Sequence, residues 1–272
     1  MQDATPGSTS NGTTVKLTVD GAVAVITLAR PAARNALSLA MLRELHSRIV
    51  ELEARDDIRA VIVAAEGPVF CPGHDLKELT AARAHPDGGR AFYAETMAAC
   101  AAMMQAIVRA SKPYIAAVEG TATAAGCQLV ATCDLAVADP AATFCTPGVH
   151  IGLFCSTPMV ALSRNVSNKH AMEMLLLGET VSANRAAEMG LVNRVAASGE
   201  AIDDARDMAN VIASKSRVTV GIGKRAFYEQ REMSLSAAYD YAADVMTRNM
   251  MERDAREGIA AFVEKRRPDW QN

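Results

Sequence analysis

The spacing of apolar residues divides the chain into a first part, where short buried strands alternate with helices, and a last part that is helical throughout. Residues 15–19 and 22–28 are apolar runs joined around Asp20-Gly21, and Asp-Gly between such runs is a strong turn signal, which predicts a β-hairpin. Ser38 can cap the next helix, where Leu42, Leu45, Ile49 and Leu52 recur on one face and Arg43, Glu44, Ser47 and Glu51 on the other. Residues 60–64 and 114–118 are short, continuously apolar runs and read as buried strands. Between them lie an alanine-rich polar stretch at 80–89, read as a mobile lid or loop, and a long helix at 90–110 whose Met103 and Met104 read as adaptable core filling. Short strands are predicted at 135–138 and 143–145, and a loop at 147–158. From Asn165 the pattern turns helical, with helices over 200–214, 223–230, 235–248 and 253–265. Strands alternating with helices before a helical tail indicate an α/β core, residues 15–200, and a helical C-terminal subdomain, residues 201–272.

Composition narrows the partners. With 28 Lys+Arg against 31 Asp+Glu, a net charge of -3 and mixed-sign helices such as RELHSRIVELEARDD, the chain has no electrostatic footprint for nucleic acid or a membrane surface, and neither is expected as a partner. The six cysteines and five histidines form no pattern with metal-ligand spacing, so free buried thiols, no metal and a reducing, cytoplasmic location are expected. No run approaches the roughly 20 uninterrupted apolar residues of a membrane span. Residues 1–14 are polar and read as a disordered tail rather than a signal or transit peptide. GIGKR at 221–225 lacks the earlier glycine and the Ser/Thr of a phosphate loop, and neither GxGxxG after a strand nor GxSxG occurs, which argues against dinucleotide and serine-hydrolase sites.

Two stretches remain as candidate chemistry. VEGTATAAGCQL at 118–129 and FCPGHDLKEL at 70–79 each follow an apolar strand and open a helix. Their small residues suit either close helix–strand packing or a ligand carbonyl approaching uncovered backbone N–H groups. Two such turns on neighbouring strands can supply one N–H each to an oxyanion. Together with RPAARNALSL at 30–39, GLVNRV at 190–195 and FVEKRRPDW at 262–270, these stretches resemble the crotonase (enoyl-CoA hydratase/isomerase) superfamily, in order from Lys16 to Trp270. Within it, GPVFCPGHDLKEL, TATAAGCQLV and GLFCST are most similar to the group called enoyl-CoA hydratase domain-containing protein 3.

The resemblance implies a spiral of ββα units with a C-terminal helical trimerisation subdomain, a homotrimer or dimer of trimers, and an acyl-CoA substrate in fatty-acid or acyl-CoA metabolism. Coenzyme A is then part of the substrate and no separate cofactor is implied. By residue matching, the backbone N–H groups of His74 and Ala125 form the oxyanion hole. Asp75, Leu76 and Lys77 line the acyl-CoA site, and Ala33, Arg34, Asn35, Ala36 and Leu37 lie along the CoA nucleotide. Lys265, Arg266 and Arg267 read either as a solvated helix end or as a contact to the CoA phosphates of a neighbouring subunit.

The departures bear on the reaction. The two glutamates with which a standard hydratase moves protons match Gln128 and Gly148, and neither can exchange a proton. No carboxylate lies between Asp139 and Glu173 or between Glu119 and Asp134, so a slip in the matching cannot restore the pair. His150, beside Gly148, reads as a substitute base or as a structural histidine, and the His74 side chain as an acid or base or as a local partner of Asp75. Two functions stay open: a lyase, isomerase or hydrolase acting on a CoA thioester with little acid–base help, and a non-catalytic acyl-CoA-binding or regulatory protein.

Overall fold

A computed structural model describes residues 13–271. The expected tail at 1–14 falls outside them except for Thr13 and Thr14, and the Thr14 carbonyl accepts the Ala29 N–H at 2.9 Å. The predicted hairpin is β1 (Val15–Asp20) and β2 (Val23–Leu28), paired antiparallel. Ser38 caps α1 (Leu39–Glu53) by accepting the Met41 N–H at 3.2 Å, and Leu42, Leu45, Ile49 and Leu52 are buried, as their spacing required. There follow β3 (Ala60–Ala65), α2 (Leu76–Ala82), α3 (Arg90–Arg109), β4 (Tyr114–Val118), β5 (Thr121–Thr123), α4 (Ala125–Thr132), β6 (Leu135–Ala138) and β7 (Thr143–Cys145).

These elements form a spiral. Each turn runs a strand through a six-stranded sheet of order β1-β2-β3-β4-β6, completed by β9 (Arg194–Val195) at its far edge, then a short strand through a second, smaller sheet. A helix or helical turn follows. β4, β5 and α4 make one such turn, and β6 and β7 begin the next. The second sheet pairs β5 with β7 in parallel and β7 with β8 (Val181–Ser182) in antiparallel. Beyond β7 come α5 (Ser156–Asn165), α6 (Asn168–Leu177) and α7 (Ala183–Met189), then α8 (Ala201–Ala213), α9 (Arg217–Gln230), α10 (Leu235–Met251) and α11 (Arg253–Val263).

The inner strands of the large sheet, β2, β3, β4 and β6, are buried on both faces, which is why they read as apolar runs. Ala24, Ile26, Val61, Val63, Ala116 and Val118 face a core shared with α1, α3 and α4. The alternate residues Val23, Val25, Ile62 and Ile115 pack on Ala201, Ala205 and Ala209 of α8. This helix, the first of those read as a C-terminal subdomain, therefore packs on the core sheet.

Residues 83–89 are turns, as the loop reading expected, with Tyr93 Oη donating to the Leu79 carbonyl across them at 3.0 Å and Asp87 accepting the N–H groups of Gly89 and Ala91 at 3.0 and 2.7 Å. α3 is long and apolar enough by composition to cross a membrane, but it turns Cys100, Met103, Met104 and Ile107 into the core. α9 starts six residues before its predicted start because tertiary contacts override the poor helix propensity of VTVGIG. There Lys224, from the GIGKR stretch, is buried and bonds to Asp134 Oδ2 at 2.7 Å and to the carbonyls of Ile107 and Lys112 at 2.9 and 2.8 Å.

Candidate active site

Three backbone segments lock together where the small-residue turns meet. The Cys71 N–H donates to the Thr121 carbonyl at 3.1 Å and the Thr123 N–H donates back to the Cys71 carbonyl at 2.9 Å, so the 70–75 turn joins the edge of the small sheet. The Thr123 hydroxyl adds a bond to the Pro72 carbonyl at 2.9 Å. On the other side, the Leu37 N–H donates to the Gly73 carbonyl at 2.8 Å and the Asp75 N–H to the Leu37 carbonyl at 3.1 Å. This parallel bridge uses the amides flanking His74 in space and sequence and leaves the His74 N–H directed away from Leu37.

Close approach explains the glycines. Gly73 has φ +99°, and a Cβ added there would lie 2.9 Å from Ala124 Cβ and 3.1 Å from the Ala125 nitrogen. The two turns are thus in contact at Gly73 and Ala125. Ala125 is the first residue of α4, and the first helical amide to find a backbone acceptor is that of Gln128, on the Ala124 carbonyl at 2.9 Å. The N–H groups of Ala125 and its neighbours in the first turn have no intrahelical acceptor and carry the positive end of the helix dipole.

Around this point the side chains divide into braces and unpaired groups. Asp75 Oδ2 accepts from Arg30 Nη1 at 2.8 Å and Oδ1 caps α2 by accepting the Lys77 N–H at 3.0 Å. Burial would raise the Asp75 pKa, but Arg30 and the capped amides outweigh it and hold the carboxyl below its ordinary value. Asn35 is fully buried at φ 60°, and its amide bonds the Arg30 N–H and the carbonyls of Glu66 and Val69, so it braces the 30–37 loop, whereas Arg34 is exposed. Leu76 and Lys77 are exposed at the start of α2. His74 does not pair with Asp75: both its ring nitrogens are buried without a partner, and burial lowers its pKa, keeping the ring neutral at pH 7. Gln128 Oε1 and Thr146 Oγ1 are likewise buried and unpartnered.

The segment after β7 closes on itself. A Cβ at Gly148 would lie 2.8 Å from the Leu153 carbonyl oxygen and 3.0 Å from Cys155 Sγ, so this position admits no side chain unless backbone moves. His150 is exposed, with Nε2 3.2 Å from the Gly178 carbonyl at the end of α6, which makes it an anchor between two loops in this structure. Burial pushes the Cys145 thiol up to about 11 and raises that of Cys155, so both are protonated thiols. At the C-terminus, Arg266 is held by Glu257 and Glu264 at 2.5 and 2.6 Å.

A family model described as enoyl-CoA hydratase/isomerase matches residues 18–272. The chain belongs to the enoyl-CoA hydratase/isomerase family. It is 48% identical over 245 residues to the rat protein named enoyl-CoA hydratase domain-containing protein 3, mitochondrial, covering 90% of this chain and 80% of that one. The crystal structure of enoyl-CoA hydratase from Mycobacterium smegmatis superposes with a TM-score of 0.91 at 48% identity, covering 96% of this chain and all, 100%, of the other. The human enoyl-CoA hydratase domain-containing protein 3 structure superposes with a TM-score of 0.90 at 45% identity, covering 94% and 100%. The resemblance to that group within the crotonase superfamily, read from the sequence, therefore stands, as does the crotonase-like α/β fold. The cytoplasmic placement does not: the rat, mouse and human relatives are named mitochondrial. Buried free thiols suit any reducing compartment, so the cysteines could not separate the two.

Within this family member, Arg30 and Thr146 went unremarked in the sequence. Arg30 sits in RPAARNAL as an ordinary loop cation, and only the fold brings it to Asp75, 45 residues on. A polar residue ending the apolar run TFC was the available signal for Thr146.

Proposed function

We propose that the protein binds a CoA thioester with its carbonyl oxygen between the backbone N–H groups of His74 and Ala125. The observation that carries this reading is the contact of the two turns at Gly73 and Ala125, with the His74 amide directed off the Leu37 ladder and the Ala125 amide free of the helix. Two convergent donors at a helix N-terminus stabilise an enolate or a tetrahedral oxyanion, because they favour charge where it develops. Asp75 is committed to Arg30 and Gln128 cannot exchange a proton, so the chemistry of the site rests on the backbone donors, with the neutral His74 imidazole as the one proton-handling side chain beside them. The reaction supported best is one needing little acid–base help, such as decarboxylation or thioester hydrolysis. The absence of a proton-handling group at Gln128 and at the crowded Gly148 favours, as the second reading, a protein that binds acyl-CoA without turnover.

The same proposal includes a homotrimer or dimer of trimers. α10 buries no residue within a single chain, and Leu235 and Phe262 are 77% and 84% exposed. A monomeric mass by light scattering at micromolar concentration would remove this part.

The test combines thermal protection by a panel of acyl-CoAs with multiple-turnover assays of the same panel. Protection with conversion supports the enzyme, and protection without conversion the binder. Ala125→Pro removes one donor and is expected to abolish protection with the fold intact by circular dichroism. Unchanged protection in that variant would overturn the site.

A further inference from the structure

The end of the chain turns back on α11. Lys265, at φ 56°, is the left-handed residue of a helix-ending turn in which the Arg266 N–H donates to the Ala261 carbonyl at 3.0 Å and the Lys265 N–H to the Phe262 carbonyl at 3.3 Å. Pro268, which has no N–H to give, bars a return to helix. Residues 266–271 then run back along one face of α11, where Asp254, Glu257, Gly258 and Ala261 recur at helical spacing. Glu257 holds Arg266 through both carboxylate oxygens, at 2.5 and 3.0 Å, and accepts the Asp269 N–H at 2.8 Å. Asp254 Oδ1 accepts the Gln271 N–H at 2.8 Å. Between these anchors the Trp270 ring lies over Gly258, where a Cβ would meet the indole at 3.0 and 3.2 Å. The indole Nε1 donates to the Ser214 carbonyl at the end of α8, 2.9 Å away.

The indole thereby joins two parts of the chain that differ in how firmly they are held. α8 packs on the large sheet, whereas α10 buries no residue and α11 buries only Asp254 and Ala261, so α10 and α11 form an arm with a weak hold of their own. The bonds from α9 to α10, Tyr241 to Glu229 and Thr219 to Asn249, involve side chains near the surface. We propose that residues 266–271 are a latch: seated, Trp270 fixes the α10–α11 arm against α8, and released, it frees the arm to swing about the turn at 231–234. Opposing terms keep the latch close to balance. Its anchors on Glu257 are exposed and therefore weak. Asp254 is 3% exposed with Oδ2 lacking a partner, a destabilising burial that release of Gln271 opens to water.

Trp270 is the chain's one tryptophan, so its fluorescence reads the latch directly. Gly258→Leu keeps a good helix former in α11 while filling the seat of the indole, and is expected to shift the emission to the red. Hydrogen exchange followed by mass spectrometry is expected to quicken about tenfold in α10 and α11, in this variant and in Trp270→Ala, with α1 and α3 unchanged. Unchanged emission in Gly258→Leu overturns the seat. Unchanged exchange of the arm in both variants, or exchange that rises equally throughout the chain, overturns the latch. A consequence for assembly rests on the homotrimer reading above: both variants are expected to show a lower mass by light scattering at a concentration where the parent is trimeric. An unchanged mass overturns that consequence alone, and a monomeric parent overturns the homotrimer while the exchange result still decides the latch.

Discussion

Gly126 lies so close to Cys71 that a Cβ on the glycine would stand 2.0 Å from the Cys71 carbonyl oxygen. The contact seats α4 on the 70–75 turn and so sets the distance between the two candidate oxyanion donors. In an exposed helix, glycine to alanine is favourable by about 1 kcal/mol. Here overpacking against backbone reverses the sign, and Gly126→Ala is expected to lose about 1–3 kcal/mol in urea unfolding. A variant as stable as the parent would show that α4 can withdraw from Cys71, and the fixed spacing of the site would fall with it.

Lys224→Met tests the docking of α9. The parent lysine bonds to Asp134 and to two carbonyls, while Asp134 also accepts from Tyr228 Oη at 2.9 Å and the Tyr114 N–H at 2.7 Å. Removing one partner of a buried pair leaves a desolvated charge. The expected loss is about 3 kcal/mol, the low end for such pairs, because 16% of the Asp134 side chain remains exposed. A change in urea midpoint equivalent to less than about 1 kcal/mol, the scale of a surface pair, would mean that α9 is held by packing alone.

The Arg30–Asp75 pair makes stability depend on pH. Because the folded Asp75 pKa is depressed, its contribution is fully present above the unfolded carboxylate value, about 4, and is lost as pH falls through the lower folded value. Asp75→Asn is therefore expected to be less stable than the parent at pH 7 and to converge with it below about pH 4. Urea midpoints across that range read the difference. A gap that persists into acid would assign the loss to packing rather than charge.

What the sequence discloses follows the distance over which each feature is encoded. The inner strands β2, β3, β4 and β6 were legible because burial on both faces leaves a local mark, an apolar run, whereas the two-residue edge strand β9 left none. β5 was not, because its three residues, Thr121–Thr123, are stabilised by Cys71, Thr143 and their neighbours far along the chain. α9 hides in VTVGIG for the same reason, since its register is decided by Lys224 reaching Asp134, 90 residues away. At the site, the paired turns could be recognised from FCPGHD and TATAAG, but not the division of labour among their side chains. Asn35, matched to the CoA nucleotide, spends its amide on the loop behind it, and His74 stands apart from Asp75 because Arg30 takes the carboxylate.

Crotonyl-CoA hydration is the sharpest test of the departures from the family pattern. The proposed backbone donors can stabilise an enolate, but water must still be deprotonated and Cα protonated, and each positioned transfer is typically worth about 10² to 10⁴ in rate. Gln128 supplies neither, His150 bonds to the Gly178 carbonyl, and the neutral His74 imidazole is one proton-transfer group where the reaction needs two. The parent is therefore expected to hydrate crotonyl-CoA at least about 10²-fold more slowly than a two-glutamate hydratase, followed by loss of enoyl ultraviolet absorbance. Gln128→Glu restores one proton-transfer group on an existing helix and is expected to raise the rate. Adding Gly148→Glu is not, because its Cβ would meet the Leu153 carbonyl oxygen at 2.8 Å and displace the loop that closes on Cys155. Parent turnover within about tenfold of the control would refute the matching of Gln128 and Gly148 to the catalytic positions. A double variant faster than the single one would show instead that the matching holds and the loop yields.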